Sequence, residues 1–152
     1  MTRIFVDADA CPVKDEVERV ATRHKISTFV VSNGGIRPSQ NPYLETVVVD
    51  AGADVADMWI AERCATGDVV VTSDIPLAAR AVEAGARVVK PNGECLNAKN
   101  IGNALATRDL MTDLRAANPF ATGGGKPFSK ADRSRFLQSL EVELRRALSQ
   151  AG

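Results

Sequence analysis

Histidine, paired cysteines, aromatic side chains and net charge are what this sequence has little of, and each scarcity removes a class of function. His24 is the only histidine, and Cys11, Cys64 and Cys95 stand far apart with no C-x-x-C or H-x-x-x-H spacing. That pattern argues against zinc ligation. An odd, scattered set of cysteines also argues against a disulfide framework. Aromatic residues make up 5% of the chain, and the lone Trp59 and Tyr43 do not form a base-stacking platform. The 19 basic and 19 acidic side chains cancel, so no overall field draws the protein to a polyanion or an anionic membrane. A polyanion-binding surface must come from local clustering. No apolar run approaches the ~20 residues of a membrane span, and the N-terminus lacks the apolar core and cleavage site of a signal peptide. The expectation is a cytoplasmic protein with no membrane partner.

What is present is an ordinary globular composition, 45% hydrophobic and 25% charged, over 152 residues, which suits one domain spanning residues 1–152. Short apolar runs at residues 3–6, 28–32, 46–49, 68–72 and 87–90 read as strands. Val47-Val48-Val49 and Val69-Val70-Val71 have no polar alternate face, which suits a parallel sheet covered on both sides. Helical spacing fills residues 13–23, 54–65, 75–84 and 97–117, although Gly102 weakens the last. Residues 34–43 and 91–93 read as loops. Pro119 and Gly123-Gly124-Gly125 break the chain near 118–128. Ser129-Lys130-Ala131-Asp132 then resembles an acidic capping box opening a helix over 129–149, with Phe136, Leu137, Leu140, Leu144 and Leu148 as its apolar side. Alternating strands and helices predict an α/β domain: a mostly parallel central sheet of about five strands flanked by helices, with an extra C-terminal helix appended to the same core.

The acids of this chain sit where such a sheet would place a ligand. The first strand ends in Asp7-Ala8-Asp9, then Cys11-Pro12 leads into a helix; Val69-Val70-Val71-Thr72-Ser73-Asp74-Ile75-Pro76 repeats the design. In open α/β sheets ligands bind outside the carboxyl ends of the strands, at the point where strand order reverses. Asp54 and Asp57, three apart, can share one face of a helix start. Carboxylates ~4 Å apart repel by about 4 kcal/mol per pair at an effective dielectric near 20, so a cluster needs a cation or a shared proton. Oxygen-only donors suit Mg²⁺ or Mn²⁺, the ions of nucleases and phosphatases. The plainer alternative is that Asp9, Asp54 and Asp74 only cap helices and that Asp57 is a solvated surface charge.

Several other residues are candidates beside the acids. Thr72, Ser73 and Asn33 fall at strand ends where they would contact a carboxylate or phosphate. Cys11, near a helix start, is a candidate for a lowered pKa, with a small buried thiol as the commoner outcome. His24 reads as a partner of its helix's C-terminal dipole. In the basic C-terminal third, Lys126 and Arg133 flank the Gly-rich break and are candidate phosphate contacts, whereas Lys130, Arg135, Arg145 and Arg146 read as a solvated face interleaved with Glu141 and Glu143.

Taken in order, D-A-D-A-C-P-V, G-A-D-V-A-D-M-W-I, V-T-S-D-I-P-L-A and K-P-F-S-K-A-D-R-S-R-F resemble the YaiI/YqxD family of uncharacterised bacterial proteins, from about residue 3 to 144. That family resembles a branch of the PIN-like nuclease superfamily, related to NYN ribonuclease-like domains. The resemblance implies a PIN-like sheet with an acidic Mg²⁺ or Mn²⁺ site that cuts phosphodiesters, most often RNA. It implies Asp7, Asp54 and Asp74 as catalytic metal ligands. PIN-like domains often carry a further acid after the T/S-x-D stretch. Ile75-Pro76-Leu77-Ala78 offers none, which leaves Asp9 or Asp57 as its substitute. Two alternatives stand beside this one: a haloacid-dehalogenase-type phosphatase using the D-x-D pair, and a non-catalytic RNA-binding module with a degenerate site.

Overall fold

The run Val69-Val70-Val71 is buried on both faces by helices, whereas Val48, in the run expected to share that cover, lies in an edge strand and is 66% exposed. The computed structural model describes residues 2–9, 11–34, 37–52, 54–117 (side chains as far as 111) and 128–151. The elements run β1 (Arg3–Asp7), α1 (Lys14–His24), β2 (Ser27–Ser32), β3 (Leu44–Val48), α2 (Val55–Arg63), β4 (Val69–Val71), α3 (Ile75–Glu83), β5 (Arg87–Val89), β6 (Cys95–Leu96), α4 (Ile101–Ala117) and α5 (Lys130–Ala151). The sheet order is β3-β2-β1-β4-β5-β6. Its first five strands are parallel, and β6 is antiparallel to β5.

The period of two along each strand divides the core. Ile4, Val6, Val69 and Val71 face α1 and α5, packing against Val17, Val20, Phe136 and Leu140. Phe5, Val31 and Val70 face the other way, against Ile60 of α2 and Leu77 and Ala81 of α3. Ile101 and Ala104 of α4 close this second layer. Helix α5 is therefore a structural layer and more than the appendage its position in the chain suggests. Its capping box is formed: Ser129 Oγ accepts from the Asp132 N–H and Asp132 Oδ2 from the Ser129 N–H, each at 3.1 Å.

The strand missing from the sequence expectation is β6. At two residues it is too short to show a period, and its formation depends on a turn. Gly93 has φ +92°, and a Cβ there would lie 2.7 Å from the Arg135 backbone. Ser139 Oγ of α5 donates to the Gly93 carbonyl at 2.6 Å. The β5–β6 turn is thus clamped against α5, and only glycine permits both the dihedral and the approach.

The adjacency of β1 and β4 is fixed at their amino ends. Buried Asp68 accepts from the Arg3 backbone N–H at 3.0 Å, the Arg3 guanidinium at 2.9 Å and the Ala65 N–H at 3.0 Å. The register Val6↔Val71 then places Asp7 beside Thr72 at the carboxyl edge. From β1 the order runs outward through β2 and β3, and from β4 outward through β5, so their boundary is the switch point. The expected break near 118–128 falls, over 118–127, outside the described residues. Among those residues no helix is long and apolar enough to cross a membrane.

Candidate active site

At the switch point the carboxyl ends of β1 and β4 and the starts of α2 and α3 bring three aspartates into electrostatic contact. Asp7 ends β1 with 4% of its surface exposed. Its Oδ2 accepts a hydrogen bond from the buried Thr72 hydroxyl at 3.0 Å. Thr72 Oγ1 in turn accepts the backbone N–H of Asp74 at 3.0 Å, so one hydroxyl links the two strand ends. Asp74 is the N-cap of α3, its Oδ1 accepting from the Leu77 N–H at 2.8 Å. Burial pushes the Asp7 carboxyl above its usual value despite the Thr72 hydrogen bond, and the charges of Asp74 and Asp9 add to the rise.

Asp57 departs most from expectation. It is half-buried on the first turn of α2, whereas helical position alone suggests a solvated charge. Burial raises its pKa to about 7, reinforced by Asp74, Asp7, a side-chain hydrogen bond with Asp74, and Asp54. Asp54 stands at the N-cap position of α2 without a side-chain capping bond, so capping does not account for it. Both α2 acids line a cleft of about 280 Å³ with Pro76, Leu77 and Arg80. Sequence reasoning missed Arg80, which makes no ion pair among the described residues. Its place one helical turn after Pro76, at the start of α3, was the available signal.

Asp9 does different work. Its Oδ1 accepts from Ser32 Oγ at 2.8 Å and its Oδ2 from the Asn33 N–H at 2.9 Å, which pins the loop after β1 to the end of β2. Asn33 and Ser73 are exposed at the rim. Cys11 contradicts the lowered-pKa expectation: its thiol is buried, its Sγ 3.8 Å from the Val71 carbonyl, and burial together with Asp7 pushes it up to about 12. Iodoacetamide at pH 8 is therefore expected to leave Cys11 unmodified in the native protein and to alkylate it after unfolding. Mass spectrometry showing Cys11 labelled within minutes in the native state would contradict this.

The arginines of α5 are engaged by acids of the same fold. Arg133 pairs with buried Glu16 at 2.8 Å and lies over the Phe128 ring. Arg135 pairs with Asp132, Arg145 with Glu141 at 3.7 Å, and Arg146 with Glu143 at 3.3 Å. His24 also meets Glu141. Lys126 lies outside the described residues.

Among the described residues no three acids, cysteines or histidines are arranged as a ready cage for an ion. The donor chemistry nonetheless fits Mg²⁺ or Mn²⁺. Mg²⁺ typically keeps several waters and binds through one or two carboxylates plus substrate phosphates. Burial and the charges of Asp74, Asp7 and Asp54 push Asp57 up, and crowding of negative charge of this kind is relieved by a proton or by a cation.

Comparison with known proteins agrees with this frame. A family model described as "Uncharacterized BCR, YaiI/YqxD family" matches residues 5–146. A UPF0178 protein of Roseobacter denitrificans is 69% identical over 97% of both chains. One from Cereibacter sphaeroides strain ATCC 17023 is 69% identical over 97% of this chain and 91% of its own. One from Bradyrhizobium diazoefficiens is 57% identical over 95% and 86%. No solved structure matches the chain.

Proposed function

For a chain that belongs to the uncharacterised YaiI/YqxD family, we propose metal-dependent hydrolysis of RNA phosphodiesters at the carboxyl edge of β1 and β4. The observation that carries this is the meeting of Asp7, Asp57 and Asp74, with Asp57 raised to about 7 by burial and its acidic neighbours. A PIN-like relationship, from which the RNA substrate follows, agrees with the mostly parallel sheet and its switch point.

Asp74 is the proposed holder of the ion, with Asp7 and Asp54 adding negative potential beside it and Asp57 left free of it. A bound Mg²⁺ or Mn²⁺ neutralises phosphate oxygens and makes water easier to deprotonate. Asp57 would be the base that takes that proton, its pKa of about 7 in the metal-free site lying near the working pH. Thr72 orients Asp7, and the Leu77 N–H orients Asp74. The starts of α1, α2 and α3 follow strand ends at this edge, and their dipoles favour a phosphate there. Asn33, Ser73 and Arg80 would meet its outer oxygens. Asp9 serves as a positioning residue through Ser32 and Asn33.

Calorimetric titration with Mg²⁺ tests the site. Asp74→Asn is expected to bind at least tenfold more weakly than wild type, with its fold intact because asparagine is an equally good N-cap. A wild-type chain that takes up neither Mg²⁺ nor Mn²⁺ would remove the metal mechanism. The phosphatase alternative is less well supported, since both Asp9 oxygens are already hydrogen-bonded and Asp7 is buried with its Oδ2 held by Thr72. RNA binding without cleavage in the presence of metal would instead mark a non-catalytic module.

A further inference from the structure

Beside the acids, a groove of about 550 Å³ opens between the start of α3, the β5–β6 turn and α4. Ile75, the residue after Asp74, lines it, as do Lys90 and Glu94 of the β5–β6 turn. The α4 side is made by Asn100, Asn103, Ala104, Thr107, Arg108 and Met111. That is the i, i+3, i+4, i+7, i+8, i+11 stripe of one helical face. On a helix packed against a core, such a stripe is ordinarily apolar. Here it carries two amides, a hydroxyl and a guanidinium, and it faces a concave space.

Their bonding separates scaffold from free groups. Asn100 is structural: its Nδ2 donates to the Cys95 carbonyl at 2.9 Å and its Oδ1 accepts from the Asn97 N–H at 2.8 Å. Lys90 pairs with Glu94 at 3.1 Å and Arg108 with Asp109 at 3.3 Å, pairs that are partly or largely exposed. Exposed ion pairs of this kind exchange partners at little cost. Asn103 and Thr107, one helical turn apart and exposed, make no side-chain hydrogen bond among the described residues. A carboxamide and a hydroxyl left free in a groove can bond the donor and acceptor edge of a nucleobase, while Lys90 and Arg108 can meet the neighbouring phosphate.

We propose that this groove holds one unpaired nucleotide of an RNA strand, next to the phosphate placed at Asp57 and Asp74. Asn103 and Thr107 contact its base edge, Ala104 and Met111 pack against its face, and Lys90 and Arg108 bind its flanking phosphate. The inference rests on the nuclease reading and adds to it a base-contacting subsite outside the cluster of acids. A base already paired in a duplex hides the edge these groups need, and sequence-directed RNA recognition generally uses unpaired bases.

The test uses the full chain with Mg²⁺ present, in the slow-cleaving Asp57→Asn background, and a fluorescent single-stranded RNA octamer read by anisotropy. Adding Asn103→Ala and Thr107→Ala together is expected to raise Kd roughly tenfold, as loss of two hydrogen bonds would. The melting temperature should stay unchanged because both side chains are exposed. The octamer hybridised to its complement should bind at least tenfold more weakly than the single strand. Unchanged affinity of the double variant, equal binding of the duplex, or no octamer binding by the parent each overturns the proposal. Loss of the wild-type Mg²⁺ titration would overturn the metal mechanism alone, because the groove result is read as RNA affinity and is separate from cleavage.

Discussion

Asp57→Asn is expected to slow RNA cleavage by about 10²–10⁴-fold, the usual contribution of a positioned general base, while making the metal-free protein more stable at pH 8. The two effects have one source. The unfolded carboxyl ionises near ~3.9, whereas in the fold Asp57 holds its proton to about 7. Between these values the folded state binds more protons than the unfolded state, so stability falls as pH rises through that window. Above it the full penalty of an ionised, crowded Asp57 is present. Discounted for partial exposure, this is about 1–2 kcal/mol, or roughly 3–6 °C in Tm.

Asparagine carries no such proton, so the variant's stability should change less across that range. Melting curves from pH 5 to 8 in chelator distinguish the cases: a variant that melts below wild type at pH 8 contradicts the assignment. Mg²⁺ should raise the wild-type Tm through linkage. Activity and stability thus oppose each other at one side chain, the usual trade-off where a site gathers like charge.

Phe136→Ala is expected to destabilise the protein by about 3–5 kcal/mol, a fall in Tm on the order of 10 °C. Phe136 has no exposed surface and lies in the core layer shared by α1, α5 and the sheet. Its removal leaves a cavity that Leu140, Val17 and Val20 cannot fill without moving helices. Leu148, on the same helix but 37% exposed, provides the control: Leu148→Ala should cost less than about 1 kcal/mol. Urea unfolding measures both. A Phe136→Ala cost below 1 kcal/mol would mean that α5 is not a core layer.

What could be read from the sequence is what local pattern encodes. Val69–Val71 flanked by an acid and a proline reads as a buried strand feeding a helix, and the same grammar at Asp7 puts both acids at one edge. Phe136, Leu140 and Leu144 fall on one helical face, and the Ser129–Asp132 capping box is local by construction. What could not be read depends on long-range approach. The environment of Asp57 is created by α2 lying beside Asp74, which helical periodicity does not reveal. Asp9 finds Ser32 across 23 residues. The position of Cys11 near a helix start suggests a reactive thiol, but burial against Val71 and the charge of Asp7 reverse the sign. Strand β6 exists because Gly93 can meet α5, a contact that no pattern in Cys95-Leu96 announces.

The hydroxyl of Thr72 has a mechanical consequence as well. It offers one proton to Asp7 while one of its lone pairs is held by the Asp74 backbone N–H. The two strand-end acids therefore behave as parts of a single lever whose fulcrum is the 72–74 turn. A torsional change in that turn swings the hydroxyl and withdraws its proton from Asp7, altering the charge of one acid by moving the backbone of the other. Tuning can thus arrive from outside the aspartates: any substitution that tilts the start of α3 resets the site without touching a carboxylate.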